Sequence, residues 1–450
     1  MTNIIRITFA SIGSMLFAVF GALGLWHLST ITCLAQSNPL DPHFAGSILA
    51  ASDADMIATA YANGKMNKVT GVEDSLAFIS FSDTQSLVSS QIHTSNSVVS
   101  WPSILAWNQE KQYAYVAETR GVYRGGEQKL GNVWKDLDPG RRISIINYQN
   151  AQHPAVVQEN AIGENIQGVS LNYNNTLLVA GSTEKGKEII VARLQDGLID
   201  KAYYFSNDEI DNVEQNNAGI LTIEFHPTKN YFAANLNNTH LAFYKVNDNH
   251  DSVTIEQLGA PIAVGKHWSV GNWHPSGTFF IITDVAWGKG NLGAIFNKKG
   301  KLVSTKFDPA GGHKIVSTAK VGLSPEGFDI SPDGKFAIVA NMRRTYGPKA
   351  FWFVPARKNA SLSLVKIDPI TGQLETLGKQ YGFVGALPED AIFDQESNTI
   401  AVAVYHEQDE EYPKEGWIDF WELREDQLIK TSQRVYLTRG IHNLLLIGDQ

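Results

Sequence analysis

Along most of the chain, apolar and polar residues alternate with a period of two, the signature of half-buried strands. Six stretches share one plan: residues 104–119, 169–182, 221–236, 270–284, 327–341 and 391–405. Each opens with a short apolar strand. A turn follows, such as His274-Pro275-Ser276-Gly277, Ser331-Pro332-Asp333-Gly334 or Asn108-Gln109-Glu110-Lys111. A second strand rich in Val, Ile, Ala and aromatic residues closes the unit. Proline presets such a turn, and Gly or Asn supplies its positive φ. The pattern therefore predicts a β-hairpin, repeated at roughly fifty to sixty-five residues. Two more strands are predicted after several hairpins, at 188–194 and 198–205, 360–368 and 373–379, and 416–423 and 427–437. No stretch shows the 3.6-residue period of a long amphipathic helix.

Four-stranded antiparallel units at this spacing predict an all-β fold, a seven-bladed β-propeller. The ends of the chain complete the count. Residues 439–449 read as a lone innermost strand, and 56–63, 75–81 and 85–93 as second, third and fourth strands without a first. The expected closure is a C-terminal strand joining the N-terminal blade, which leaves the ring no open edge. Nothing divides residues 36–450, so they are expected to form one domain.

The first thirty-five residues differ. Arg6 is the only charge before an apolar run from Phe9 to Trp26. A segment ending in Ala35 follows, and then the polar Gln36-Ser37-Asn38-Pro39. This is the plan of a secretory signal peptide, residues 1–35, cut after Ala35. An uncleaved anchor is the alternative, since the run is long enough to span a bilayer. Cleavage implies a periplasmic or secreted protein with no integral membrane segment. Cys33 is the only cysteine, so the mature chain would have no disulfide, thiolate nucleophile or cysteine metal site. A net charge of -9 argues against nucleic acid and anionic membrane surfaces as partners.

Residues 331–341, followed by 362–375, resemble the repeat of lactonase-type seven-bladed propellers. That group includes bacterial phosphogluconolactonases, muconate-lactonising propellers and surface proteins with YVTN repeats. The resemblance implies His, Arg and Glu side chains acting on a lactone at one mouth of the central channel. The enzymes often carry Arg-His just before an innermost strand. Here those places hold Pro325-Glu326-Gly327, Pro388-Glu389-Asp390 and Arg439-Gly440, with His442 close by.

Blade topology sorts the polar residues between two faces. His226 and His274, in His-Pro turns, are expected on the face away from the site, as capping residues. The ends of the second strands carry Glu118, Ser182, Asp284 and Asn341, and just beyond lie Arg120, Asn237, Trp287, Arg343, Arg344 and His406. Loops leading into innermost strands add Trp101, His267, Trp268, Glu326 and Glu389. These would converge on one concave mouth. Lactone hydrolysis needs a base and a cation for the developing oxyanion. The expected catalytic set is His406 or Glu326 as base and Arg343 or Arg120 as cation. Arg120, Arg344, Glu118, Asp284, Asn341, Glu389, His267 and Trp268 are candidate ligand contacts. No cofactor is required, although a hard cation such as calcium would suit the oxygen donors Glu326, Asp284 and Asn341. Trp417 and Trp421 share a strand face and read as packing. No GxSxG elbow, HExxH pair, P-loop or dinucleotide motif is present. The first expectation is an exported lactonase-like propeller that binds a small anionic or sugar-derived ligand and hydrolyses it if catalytic. The alternative is a non-catalytic scaffold for a protein or polysaccharide at the cell surface.

Overall fold

The structure, a computed structural model, describes residues 43–448 apart from 83–84, 95–98, 122–130, 208–218, 250, 289–296, 348–358 and 409–411. The signal peptide predicted at 1–35 lies outside them. So does part of the acidic run that follows His406.

Seven antiparallel sheets form seven blades. Blade 2 comprises Leu105–Asn108, Tyr113–Ala117, Arg142–Asn147 and Ala155–Ala161. Blades 3, 4 and 5 begin at Gly168–Leu171, Ile223–Phe225 and Trp268–Trp273. Blades 6 and 7 begin at Pro325–Ile330 and Ala391–Phe393. Blade 4 carries an extra short strand, Ile262–Ala263.

Blade 1 closes the ring. Its innermost strand is the C-terminal Ile441–Ile447, which pairs with Ser47–Ser52 from the other end of the described chain. Ser75–Ser82 and Gln85–His93 follow outward. The closure is the expected one, but its second strand is not residues 56–63. That stretch is a loop with a single helical turn, Ala60–Asn63. The actual strand, Ser-Ile-Leu-Ala-Ala-Ser, is buried along nearly its whole length, so no polar alternation marks it. Residues 56–63 are apolar for another reason: Met56, Ala58 and Ala60 pack down onto the ring.

The apolar core lies between blades. Leu177, Val179 and Ile189 of blade 3 pack on Phe232, Ala234 and Tyr244 of blade 4. Ile338, Leu362 and Leu364 of blade 6 meet Ile400, Val402, Trp417 and Trp421 of blade 7. Each such large side chain removed from water contributes about 1.5–3 kcal/mol. Middle strands are covered on both faces, and Phe279–Asp284 is buried throughout.

The His-Pro turns staple neighbouring blades. His226 Nδ1 accepts from Thr228 N at 3.1 Å, so Nε2 carries the proton and donates to Gly277 O at 3.0 Å. His274 repeats this with Ser276 N and, at 2.9 Å, with Gly334 O of blade 6. Both glycines have positive φ, 68° and 74°. A Cβ on Gly334 would also lie 2.5 Å from His274 Nε2.

Gly334→Ala should therefore cost about 2–3 kcal/mol in urea unfolding, from backbone strain plus the displaced staple. Gly71→Ala is the control. Gly71 has a φ of 77° but nothing within 4 Å of an added Cβ. It should lose only about 1 kcal/mol.

Candidate functional site

The channel mouth on the side of the loops entering the innermost strands is covered by a strap, residues 53–67. Arg439 pins both of its ends. The buried guanidinium donates to Ala54 O at 2.5 and 3.1 Å, to Asn67 Oδ1 at 2.7 Å and to Pro413 O at 2.9 Å, and also to Asn67 O. The middle of the strap meets two of the predicted residues. Ala58 N donates to His406 Nε2 at 2.9 Å, and Tyr61 Oη to Glu389 Oε1 at 2.5 Å.

Beneath the strap lies a buried carboxyl pair. Glu326 and Glu389 open the innermost strands of adjacent blades and are 0% and 1% exposed. Their loops touch, Gly327 N donating to Glu389 O at 2.8 Å. Neither carboxyl oxygen of Glu326 has a hydrogen-bond partner. Burial pushes its acidity constant well up, and Glu389 and Asp390 push it further. Burial also raises Glu389, opposed by the Tyr61 hydrogen bond. The Tyr61 phenol is raised by burial and then by Glu389 and Glu326, so it remains a donor. His442 Nδ1 sits 3.8 Å from Glu389 Oε2. Burial pulls this imidazole down to about 4. The ring is therefore neutral at neutral pH, and its contact with Glu389 is not one between two charges.

His406 is also buried and pulled down to about 4, first by desolvation. Because Nε2 accepts from Ala58, Nδ1 carries the proton and donates to Glu407 O at 2.6 Å. Both ring nitrogens thus hold main chain.

Aromatic rings crowd above the pair. Tyr61 meets Trp287 and Tyr346 at centroid distances of 6.5 and 6.2 Å. Trp101 and His267 complete the group with Trp287 at 6.3 and 5.9 Å. Burial lowers the His267 imidazole, opposed by Asp284. Trp268 points elsewhere. It is fully buried among Phe280 and other residues between blades 4 and 5.

The second-strand ends bind backbone. Asp284 accepts from Lys266, His267 and Ala286 amides at 3.0–3.2 Å. Glu118 takes Arg141 N at 2.9 Å and the Arg142 guanidinium at 2.7 Å. Asn341 accepts from Gly322 N at 2.8 Å and donates to Ser361 O. Asp284 and Asn341 are thus occupied, leaving Glu326 alone of the oxygen set suggested for calcium. Among the described residues no group of three or more His, Cys, Asp or Glu is arranged to hold a metal ion.

The three arginines are half-buried. Arg120 donates to Asn165 Oδ1 at 3.1 Å, while its Nε is buried without a partner. Arg344 Nε is likewise unpartnered. Arg343 is half-buried with a left-handed φ of 59°, its amide donating to Leu323 O.

Sequence reasoning did not single out Tyr61, Tyr346 or the clamp made by Arg439. Tyr61 had no signal, being inside an apolar run. Arg439 precedes the innermost strand of blade 1 and is followed by Gly440, while His442 lies inside that strand.

The ring topology and the acidic mouth permit comparison with solved structures. A periplasmic gluconolactonase from Pseudomonas aeruginosa superposes with a TM-score of 0.62 at 15% identity, covering 90% of this chain and 99% of that one. The fold is that of the lactonase-type propellers. A Bacteroides uniformis protein provisionally assigned as a 6-phosphogluconolactonase gives 0.59 at 13% identity, with 90% and 99% covered. No family profile matches the sequence, and no curated protein does. Among the described residues no helix is long and apolar enough to cross a membrane.

The depressed His406 value fixes a pH dependence. The unfolded chain takes up the proton near 6.5 and the folded one only near 4. This stabilisation is complete above 6.5 and is lost as pH falls through 4. His406→Gln should be less stable than wild type at neutral pH. In melting curves across that window it should lose less stability on acidification. His442 gives part of the slope the same sign.

Proposed function

We propose that the protein is an exported lactonase-like propeller that binds a small sugar-derived or anionic ligand at the strapped mouth and opens a lactone ring there. The observation that carries this reading is Glu326, a fully buried carboxyl with both oxygens unpartnered, set beside Glu389. A group desolvated without compensation is costly to keep, and such groups concentrate at functional sites. The lactonase-type fold supports the reading, and the periplasmic Pseudomonas neighbour supports export.

Two coupled buried carboxyls hold their protons unequally, which separates an acid from a base. In the proposed reaction the ionised partner takes a proton from water as the water oxygen adds to the lactone carbonyl. The tetrahedral oxyanion collapses, the ring C–O bond breaks, and the protonated partner supplies a proton to the leaving alkoxide. Arg343, with Arg120 or Arg344, would stabilise the oxyanion and the product carboxylate. His406 would act by holding the strap through Ala58. Trp101, His267 and Trp287 would wall the site.

The test is a thermal-shift and hydrolysis assay of the mature domain with glucono-1,5-lactone and its phosphorylated analogue. Both the ligand-induced rise in melting temperature and turnover should disappear in Glu326→Gln. The unliganded variant should melt close to the wild-type temperature, because burial already favours the uncharged form of Glu326 and Gln has nearly the same shape. Arg343→Ala should lose binding with little change in unfolding. Wild-type turnover in Glu326→Gln would exclude the carboxyl pair.

A further inference from the structure

The strap is held unevenly. Its ends are tied to the ring by Arg439, by Asp53 N donating to Gly440 O at 2.8 Å, and by Met66 N donating to Gly131 O at 2.9 Å. Near the far end, Val133 N donates to Gly64 O at 2.8 Å. Among the described residues, the stretch from Ile57 to Asn63 makes two hydrogen bonds to other parts of the ring, Ala58 to His406 and Tyr61 to Glu389. The remaining main-chain bonds of that stretch are its own turn, the Ala60, Tyr61, Ala62, Asn63 and Gly64 amides donating to the Ile57, Ala58, Thr59 and Ala60 carbonyls. The turn can therefore move as a unit without breaking them. Its fully buried residues, Ala58 and Ala60, are small, and its one large packed side chain is Tyr61, so lifting it mainly separates the Tyr61 ring from Trp287 and Tyr346.

What it covers is not small. Tyr61 Oη lies 2.5 Å from Glu389 Oε1, and Glu326 behind it is 0% exposed. No ligand reaches that pair while Tyr61 is in place. The phenol also does what a ligand hydroxyl would do, donating to a buried carboxyl oxygen.

We infer that residues 57–63 are a hinged gate between fixed ends and that Tyr61 is an internal stand-in for a ligand hydroxyl, displaced when a hydroxyl-bearing ligand enters. This rests on the mouth being the ligand site and adds how that site is kept closed. Competition for Glu389 makes the gate autoinhibitory. A ligand with O–H donors replaces the lost bond, and one without them leaves Glu389 unsatisfied.

Two measurements on the mature chain test it. Hydrogen exchange without ligand reads the gate alone. The Ala58 amide, released from His406 when the turn lifts, should exchange by local opening, at least a hundredfold faster than the Leu444 and Phe393 amides of the innermost strands. Equal protection would overturn the gate and leave the proposed site standing. Calorimetry with glucono-1,5-lactone reads the competition. Tyr61→Phe keeps the ring and removes the hydroxyl, and should bind roughly tenfold more tightly than wild type. Tyr61→Ala should raise the association rate. Weaker binding by Tyr61→Phe would make Tyr61 a ligand contact and overturn its role as competitor. Fast exchange with no lactone bound by any variant would count against the lactone reading, not the hinge.

Discussion

The structure depends on how the innermost strands satisfy their free edges. Each has one hydrogen-bonded neighbour, in its own blade, and a bare edge toward the channel. A buried, unpaired main-chain group costs as much as a lost hydrogen bond. Side chains and loops of adjacent blades meet that demand around the circle. Asp329 of blade 6 accepts Phe393 N of blade 7, and Asp390 accepts Leu444 N of blade 1. Asn443 accepts the Ile104 and Leu105 amides of blade 2, and Val169 N of blade 3 donates to Ser103 O. Ser170 then accepts Phe225 N, Thr222 donates to Ser269 O, and Ser269 donates to Glu326 O. The chain of bonds returns to blade 6, and it closes only because both ends of the described chain share blade 1.

Against that background the mouth is exceptional. Asp390 is a buried acid and Asp329 a half-buried one, both raised to about 7 by desolvation, but their oxygens are filled by amides. Glu326 is as deeply buried as Asp390 and has nothing. Its environment does for stability what a polar group in hydrocarbon would do, and the strap with Tyr61 seals it from water. Among the described residues, Asp329 and Asp390 are filled while Glu326, beneath a lightly held cover, has neither oxygen paired, which sets it apart from those structural carboxyls.

Much of the fold was legible in the sequence, for local reasons. The hairpins at 270–284 and 327–341 announce themselves because Pro and Gly have few conformations to offer. Trp417 and Trp421 had to share a face because strand side chains alternate. Residues 47–52 were missed because a strand covered on both faces has no polar half to mark it. Residues 56–63 were misassigned because small apolar residues suit a strand interior and a packed strap equally well.

The site divides along the same line. Sequence alone determined which polar residues arrive at the strand ends and entry loops, since chain order and blade topology place them there. It could not say which of them would be consumed. Asp284, Glu118 and Asn341 look like ligands in one dimension and become caps in three, because loop amides come within hydrogen-bonding reach. Glu326 looks no different from them in the chain. Only the tertiary structure decided that it stays unpaired, and only the folded ring brought the strap residues Ala58 and Tyr61 against His406 and Glu389, far away in sequence. Hydrogen-bond satisfaction depends on neighbours distant along the chain, and pattern along the chain carries no record of them.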